Sequence, residues 1–231
     1  MGLIDGLLSV IYPEVCEVCG TPLVSGEKVM CLGCHAAMPL TGYHKTPEFN
    51  QLHERTMCHA PIHHADACFF YERLSPYSRL IHAAKYESRP SIGRLLAKDH
   101  ARITAPTGFF DGIDLIVPVP LDRLKLIRRG YNQSHHIALG ISDITDIPVG
   151  SLLRARRHPS QTSKNAAGRL DNARGTFSVG QQEDVARYSH ILIVDDIITT
   201  GSTLCACAEA IHSASPQTSI SILTLAATRM S

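Results

Sequence analysis

The sequence predicts an α/β fold, a mostly parallel sheet flanked by helices, with a small cysteine-rich unit ahead of it. Three observations carry this. Short apolar runs such as 191–194 (ILIV) and 114–119 (DLIVPV) read as strands buried on both faces, as parallel strands are. Stretches of helical spacing separate them, and strands alternating with helices imply parallel pairing. Two Cys-x2-Cys pairs stand close together near the N-terminus.

The 231 residues suffice for one ordinary domain and an appendage. Hydrophobic residues make up 44% and charged residues 19%, the balance of a globular chain with a real core. A net charge of +1 excludes a global field that would draw the protein to nucleic acid or an anionic membrane. The charge is uneven, however: residues 121–175 hold ten Lys/Arg against four Asp/Glu, which suits a polyanionic ligand. No apolar run reaches transmembrane length. Eight clustered cysteines are too few for a secreted disulfide scaffold, and no signal peptide is legible, so a reducing cytoplasm is expected.

Residues 2–11 place Leu3, Ile4, Leu7, Leu8 and Ile11 at helical spacing, predicting a short amphipathic helix that packs on the body. Next come Cys16 and Cys19, then eleven residues, then Cys31 and Cys34. Each Cys-x2-Cys turn aims two sulfurs at one point, and tetrahedral zinc takes four thiolates. The expectation is a structural four-cysteine zinc ribbon, closed to chemistry because every coordination position is filled by protein. Residues 41–61 read as a polar linker with one short helix. Cys58, His59, His63, His64 and Cys68 follow, at spacings that match no ligand pattern, in a chain of 13 histidines.

Residues 65–71 predict a strand, 77–86 and 91–102 helices, and 114–119 a strand stopped by Pro118 and Pro120. A basic run from Arg123 to Arg129 leads into a helix ending near residue 141. Residues 151–155 read as a strand, 158–165 as a loop, 166–174 as a helix carrying Arg169 and Asn172, and 176–179 as a strand. Residues 219–225 are expected to close the sheet. Cys205 and Cys207 point to opposite sides of their helix and read as small buried residues.

The densest chemistry lies at 191–203. The apolar strand is expected to end at Asp195 and Asp196; Thr199, Thr200, Gly201, Ser202 and Thr203 form a hydroxyl-rich loop, and 204–212 predicts a helix. A loop entering a helix collects unpaired N–H groups at the positive end of the dipole, a site for a phosphate. The carboxylates suit sugar hydroxyls or a magnesium ion. Together they fit a phosphorylated ribose. No GxxxxGK[ST] or GxGxxG motif competes.

The strand, the acid pair and TTGST resemble the ribose-5-phosphate signature of type I phosphoribosyltransferases. Taken with the double CxxC, YSRLIHAAKY, DLIVPVPLDRLKLIRRGYNQ and the R-x-x-N of Arg169 to Asn172, nearly the whole chain resembles the ComF family. That resemblance implies phosphoribosyl pyrophosphate (PRPP) as ligand, with Mg2+. Asp195 and Asp196 would hold the ribose, and Thr199 through Thr203 the 5′-phosphate. Val119 and Pro120 would lie beside the pyrophosphate, Arg128 and Arg129 would be its cations, and Lys85 matches a family position. PRPP carries about five negative charges, more than one helix terminus balances, so cations from a second segment are needed. The division implied is 1–45 for the helix and ribbon and 46–231 for the phosphoribosyltransferase-like domain. The family name implies DNA uptake in natural competence, with single-stranded DNA or competence-machinery proteins as partners. The alternative is an active transferase moving phosphoribose to an unidentified small acceptor. No general base is identifiable.

Overall fold

The computed structural model describes residues 14–57, 60–86, 89–155 and 176–229. The N-terminal helix expected at 2–11, the segment with Arg169 and Asn172, and Cys58 and His59 lie outside them. In chain order the helices and strands are α1 (Leu32–Ala36), α2 (Gln51–Met57), β1 (Ala65–Phe70), α3 (Ser78–Tyr86), α4 (Pro90–Thr104), β2 (Leu115–Pro118), α5 (Arg123–Arg129), α6 (Gln133–Thr145), β3 (Leu153–Ala155), β4 (Phe177–Val179), α7 (Gln182–Val185), β5 (His190–Ile198), α8 (Ser202–Ala214) and β6 (Ser219–Ala227). A single 3-10 turn, Tyr43–Lys45, precedes α2.

Four strands form one sheet in the order β1-β6-β5-β2, every pair parallel. All four carboxyl ends therefore open onto one edge. β6, expected to close the sheet, instead lies inside it between β1 and β5. That is why Ile220, Ile222, Leu223 and Leu225 have no exposed surface. β3 and β4 pair antiparallel in a sheet of their own. Alternation along β5 sends Ile191 and Ile193 into a core with Leu204, Cys207 and Ile211 of α8. Leu192 and Val194 enter a second core with Leu96 of α4 and Ile137 and Ile141 of α6. Cys205 and Cys207 are buried, as small core residues should be.

Helices α4 and α6 touch almost backbone to backbone at Gly140, where a Cβ would stand 2.2 Å from the carbonyl oxygen of Arg94. Residues 41–61 are no linker. Leu52 of α2 is buried, and Asn50 caps that helix through Oδ1 while its Nδ2 donates to the carbonyl of Ala65 at 2.9 Å. Leu40 bridges antiparallel to Phe69, so the chain leaving the cysteines covers the outer side of β1. Cys16, Val18, Val29 and Met30 share a core with Phe69 and Leu80. Among the described residues no helix is long and apolar enough to cross a membrane.

Candidate functional site at the carboxyl edge

β5 does not stop at the acid pair. It runs on to Ile198, with Asp195 opposite Thr224 and Ile197 opposite Ala226, so both acids are held by ladder geometry and not by a loop. Only two apolar residues separate them from Thr199. That run reads equally well as loop or strand in sequence, and pairing with β6 decides it.

Asp195 Oδ1 accepts from Ser134 Oγ at 2.8 Å and from the N–H of Asp196 at 2.9 Å. Burial, then the neighbouring Asp196 charge, pushes the Asp195 carboxyl up to about 7 against the pull of those donors and Lys85. Asp196 is buried; Lys85 Nζ lies 3.1 Å from its Oδ1, while Oδ2 has no hydrogen-bond partner among the described residues. A buried carboxylate oxygen without a donor is costly, and a sugar hydroxyl or a hydrated cation would satisfy it. Oxygen donors of this kind fit Mg2+.

Past Ile198 the chain is exposed at Thr199, Thr200 and Thr203, while Gly201 is buried at φ +81° and becomes the N-cap of α8. The helix thus starts at Ser202, two residues earlier than its apolar pattern shows. Gly201 has no side chain to cap the helix; the N–H of Ser202 donates to Thr200 Oγ1 at 3.5 Å, and that hydroxyl lies 3.0 Å from Ser202 Oγ at the mouth of the helix. Arg55 of α2 holds the loop from behind, donating to the carbonyl of Thr199 at 2.6 Å and that of Thr228 at 2.8 Å.

The loop after β2 lies on the same edge. Asn132, the N-cap of α6, accepts from Ser134 N and donates Nδ2 to the carbonyl of Val119 at 3.0 Å. One residue therefore ties the Val119–Pro120 turn to the helix start that supplies Ser134. Arg128 is exposed on α5. Arg129 is engaged: Nη1 donates to Gln133 Oε1 at 3.0 Å, and its guanidinium lies 5.0 Å from the ring centre of Tyr86. Lys85, placed by the resemblance among the candidate PRPP-site residues, is engaged with Asp196. Sequence reasoning does not single out Ser134, Asn132 or Arg55. Asn-x-Ser at a helix start is a legible cap, but its reach to Val119 and Asp195 is not.

The four cysteines form a second candidate centre. Their sulfurs all lie within 4.8 Å of one another, with Cys19 and Cys31 at 3.7 Å. Gly20 takes the left-handed φ of +77° that the first knuckle needs, and its N–H returns to the carbonyl of Cys16 at 2.8 Å. The second pair runs into α1. Hydrogen bonds from Thr21, first its hydroxyl, lower the Cys19 thiol to about 6, while burial and the surrounding sulfurs raise Cys34 well above the usual range. Four thiols this close suit a metal ion that takes thiolate ligands.

An all-parallel sheet carrying an acid pair and a hydroxyl loop into a helix defines a type I phosphoribosyltransferase domain. Residues 127–231 match the family model described as phosphoribosyl transferase domain. Competence protein F of Haemophilus influenzae is 32% identical over 136 residues, 57% of this chain and 59% of that one. The match thus spans about three fifths of that relative's length. DNA utilization protein YhgH of Escherichia coli K12 is 30% identical over 220 residues, covering 83% of this chain and 88% of the relative. The chain belongs to the ComF family. A solved glutamine PRPP amidotransferase from B. subtilis superposes on 62% of this chain and 30% of its own, with 21% identity and a TM-score of 0.43.

Proposed function

We propose that this protein binds PRPP with Mg2+ at the carboxyl edge and acts in DNA uptake. The acid pair carries the reading: Asp196 Oδ2 lacks a donor among the described residues, and it stands three residues before an exposed loop that opens into α8. Asp195 and Asp196 take the ribose hydroxyls and the hydrated magnesium. Thr199, Thr200, Gly201, Ser202 and Thr203 take the 5′-phosphate. Val119 and Pro120 border the pyrophosphate, and exposed Arg128 is freer than Arg129 to meet it. Lys85 acts through Asp196, pairing with its carboxylate at 3.1 Å.

The DNA role is supported by the names of the relatives, a competence protein and a DNA utilization protein, and by α5, on which Arg123, Lys125 and Arg128 are exposed beside Leu124 and Ile127. Cations on an exposed helix suit the phosphates of single-stranded DNA or an acidic partner. We place the protein in the cytoplasm, with zinc on Cys16, Cys19, Cys31 and Cys34 and residues 1–45 as the unit that the zinc organises.

Calorimetry with PRPP and Mg2+ tests the site. Wild type should bind, and Asp195→Asn/Asp196→Asn should not, with zinc content and circular dichroism unchanged. Equal binding by both would sink the proposal. A gel shift with single-stranded DNA that persists at about 150 mM salt tests the second half. Pyrophosphate release dependent on one acceptor from a panel of bases would instead establish the transferase.

A further inference from the structure

Away from both centres, three buried side chains from three separate segments converge. His44 sits in the 3-10 turn after the cysteines, Asp66 on β1 and His100 on α4, at 7%, 0% and 3% exposure. One ligating atom of each lies within 4.8 Å of those of the other two. We infer that His44, Asp66 and His100 form a second, buried zinc site, a clasp between the segment that leaves the four cysteines and the sheet.

The ordinary explanation of a buried carboxylate is a charged partner, and His100 supplies one, its Nε2 2.6 Å from Asp66 Oδ2. That accounts for two of the three residues. His44 is unaccounted for. Its Nδ1 is buried with no hydrogen-bond partner among the described residues, and its ring stands edge-on to His100 with centroids 5.9 Å apart. A phenylalanine or leucine would fill the space without burying an unpaired nitrogen.

The surroundings resemble the outer partners that orient metal ligands. Asp66 Oδ1 accepts from the N–H of Ala67 at 2.8 Å, and Thr104 Oγ1 lies 3.4 Å from Asp66 Oδ2 and 3.3 Å from His100 Nε2. Cys68, buried and two residues along β1, interacts with His100. Two imidazoles, a carboxylate and a thiol are the donors zinc prefers, whereas magnesium and calcium take oxygen. Loading needs a small movement: ligands roughly 2.0–2.2 Å from a tetrahedral ion stand farther apart than His100 and Asp66 now do. With all three residues buried, no position is open to substrate, so the ion is structural.

The test counts zinc in the full chain, stripped with chelator, reloaded with excess Zn2+ and gel-filtered. The expected result is two zinc ions per chain. His44→Gln should leave one, Cys19→Ser/Cys34→Ser should leave the other, and all three substitutions together none. A wild type that holds one zinc, lost with the cysteine pair and indifferent to His44→Gln, overturns the inference and leaves a plain His–Asp ion pair. Should His44→Gln fail to fold, Co2+ loading of the wild type decides. A second spectral component with weaker thiolate charge transfer supports the clasp, and a spectrum explained by the four cysteines alone refutes it. Neither count depends on whether PRPP binds.

Discussion

At the amino edge of the sheet, Asp114 Oδ2 accepts the N–H groups of Ser189 at 2.6 Å and His190 at 2.9 Å, and His190 Nε2 lies 2.8 Å from Ser221 Oγ. At the carboxyl edge Asp195 is propped by Ser134, Asp196 is met on one oxygen by Lys85, and its other oxygen has no partner among the described residues. The same residue type thus finishes the ladder at one edge and is left incomplete at the other. Polar groups satisfied within the chain stabilise the fold. Those held rigid but short of partners await something from outside, as expected at the carboxyl ends of parallel strands.

Exchanging the edges by mutation gives the largest contrast. Asp196→Ala should weaken PRPP–Mg2+ binding by roughly 100-fold, the loss of two hydrogen bonds to a charged group, without lowering the melting temperature. Asp114→Ala should do the reverse, costing about 1–3 kcal/mol of stability in a denaturant titration because two backbone donors lose their acceptor, with PRPP affinity unchanged. If Asp114→Ala weakens ligand and Asp196→Ala unfolds the chain, the comparison fails.

Acid should act next, and at the amino edge. Burial lowers His190 to about 4, and His63, whose ring centre is 5.2 Å away, is lowered too, again chiefly by burial. The unfolded chain then binds more protons than the folded one between pH 6.5 and 4. Stability is retained above that window and lost on acidification through it, by about 2–3 kcal/mol for His190. His190→Asn should flatten the dependence of melting temperature on pH; an unchanged slope would refute the assignment.

The smallest effect belongs to Lys85. With Asp195 raised to about 7, PRPP–Mg2+ affinity should climb as pH rises from about 6 to 8 and the acid ionises. Lys85→Met removes a positive charge from the pair and should move that midpoint upward, read by calorimetry at several pH values. A midpoint that stays or falls would show that Lys85 does not tune the acids.

Much of this is legible in the residues alone. The run 191–194 reads as a strand because burial on both faces leaves no polar alternation to confuse it, and the acid pair and hydroxyl loop are contiguous. Cys16, Cys19, Cys31 and Cys34 are legible because each pair lies within one turn. The end of β5 is not, since Ile197 and Ile198 are strand only by pairing with β6. Nor is the place of β6, because a nine-residue apolar strand gives no sign of its neighbours.

What the chain order determined by itself, then, is everything built from near neighbours: the alternation of strand and helix, the knuckles, the acid–loop run. Only the folded structure could decide which distant groups meet, because the choice depends on packing across the sheet and not on local preference. Arg55 reaches a loop 144 residues away and Ser134 an acid 61 away. Lys85 serves a carboxylate, and His44, Asp66 and His100, unremarkable apart, become a cluster only when β1 and α4 are laid together.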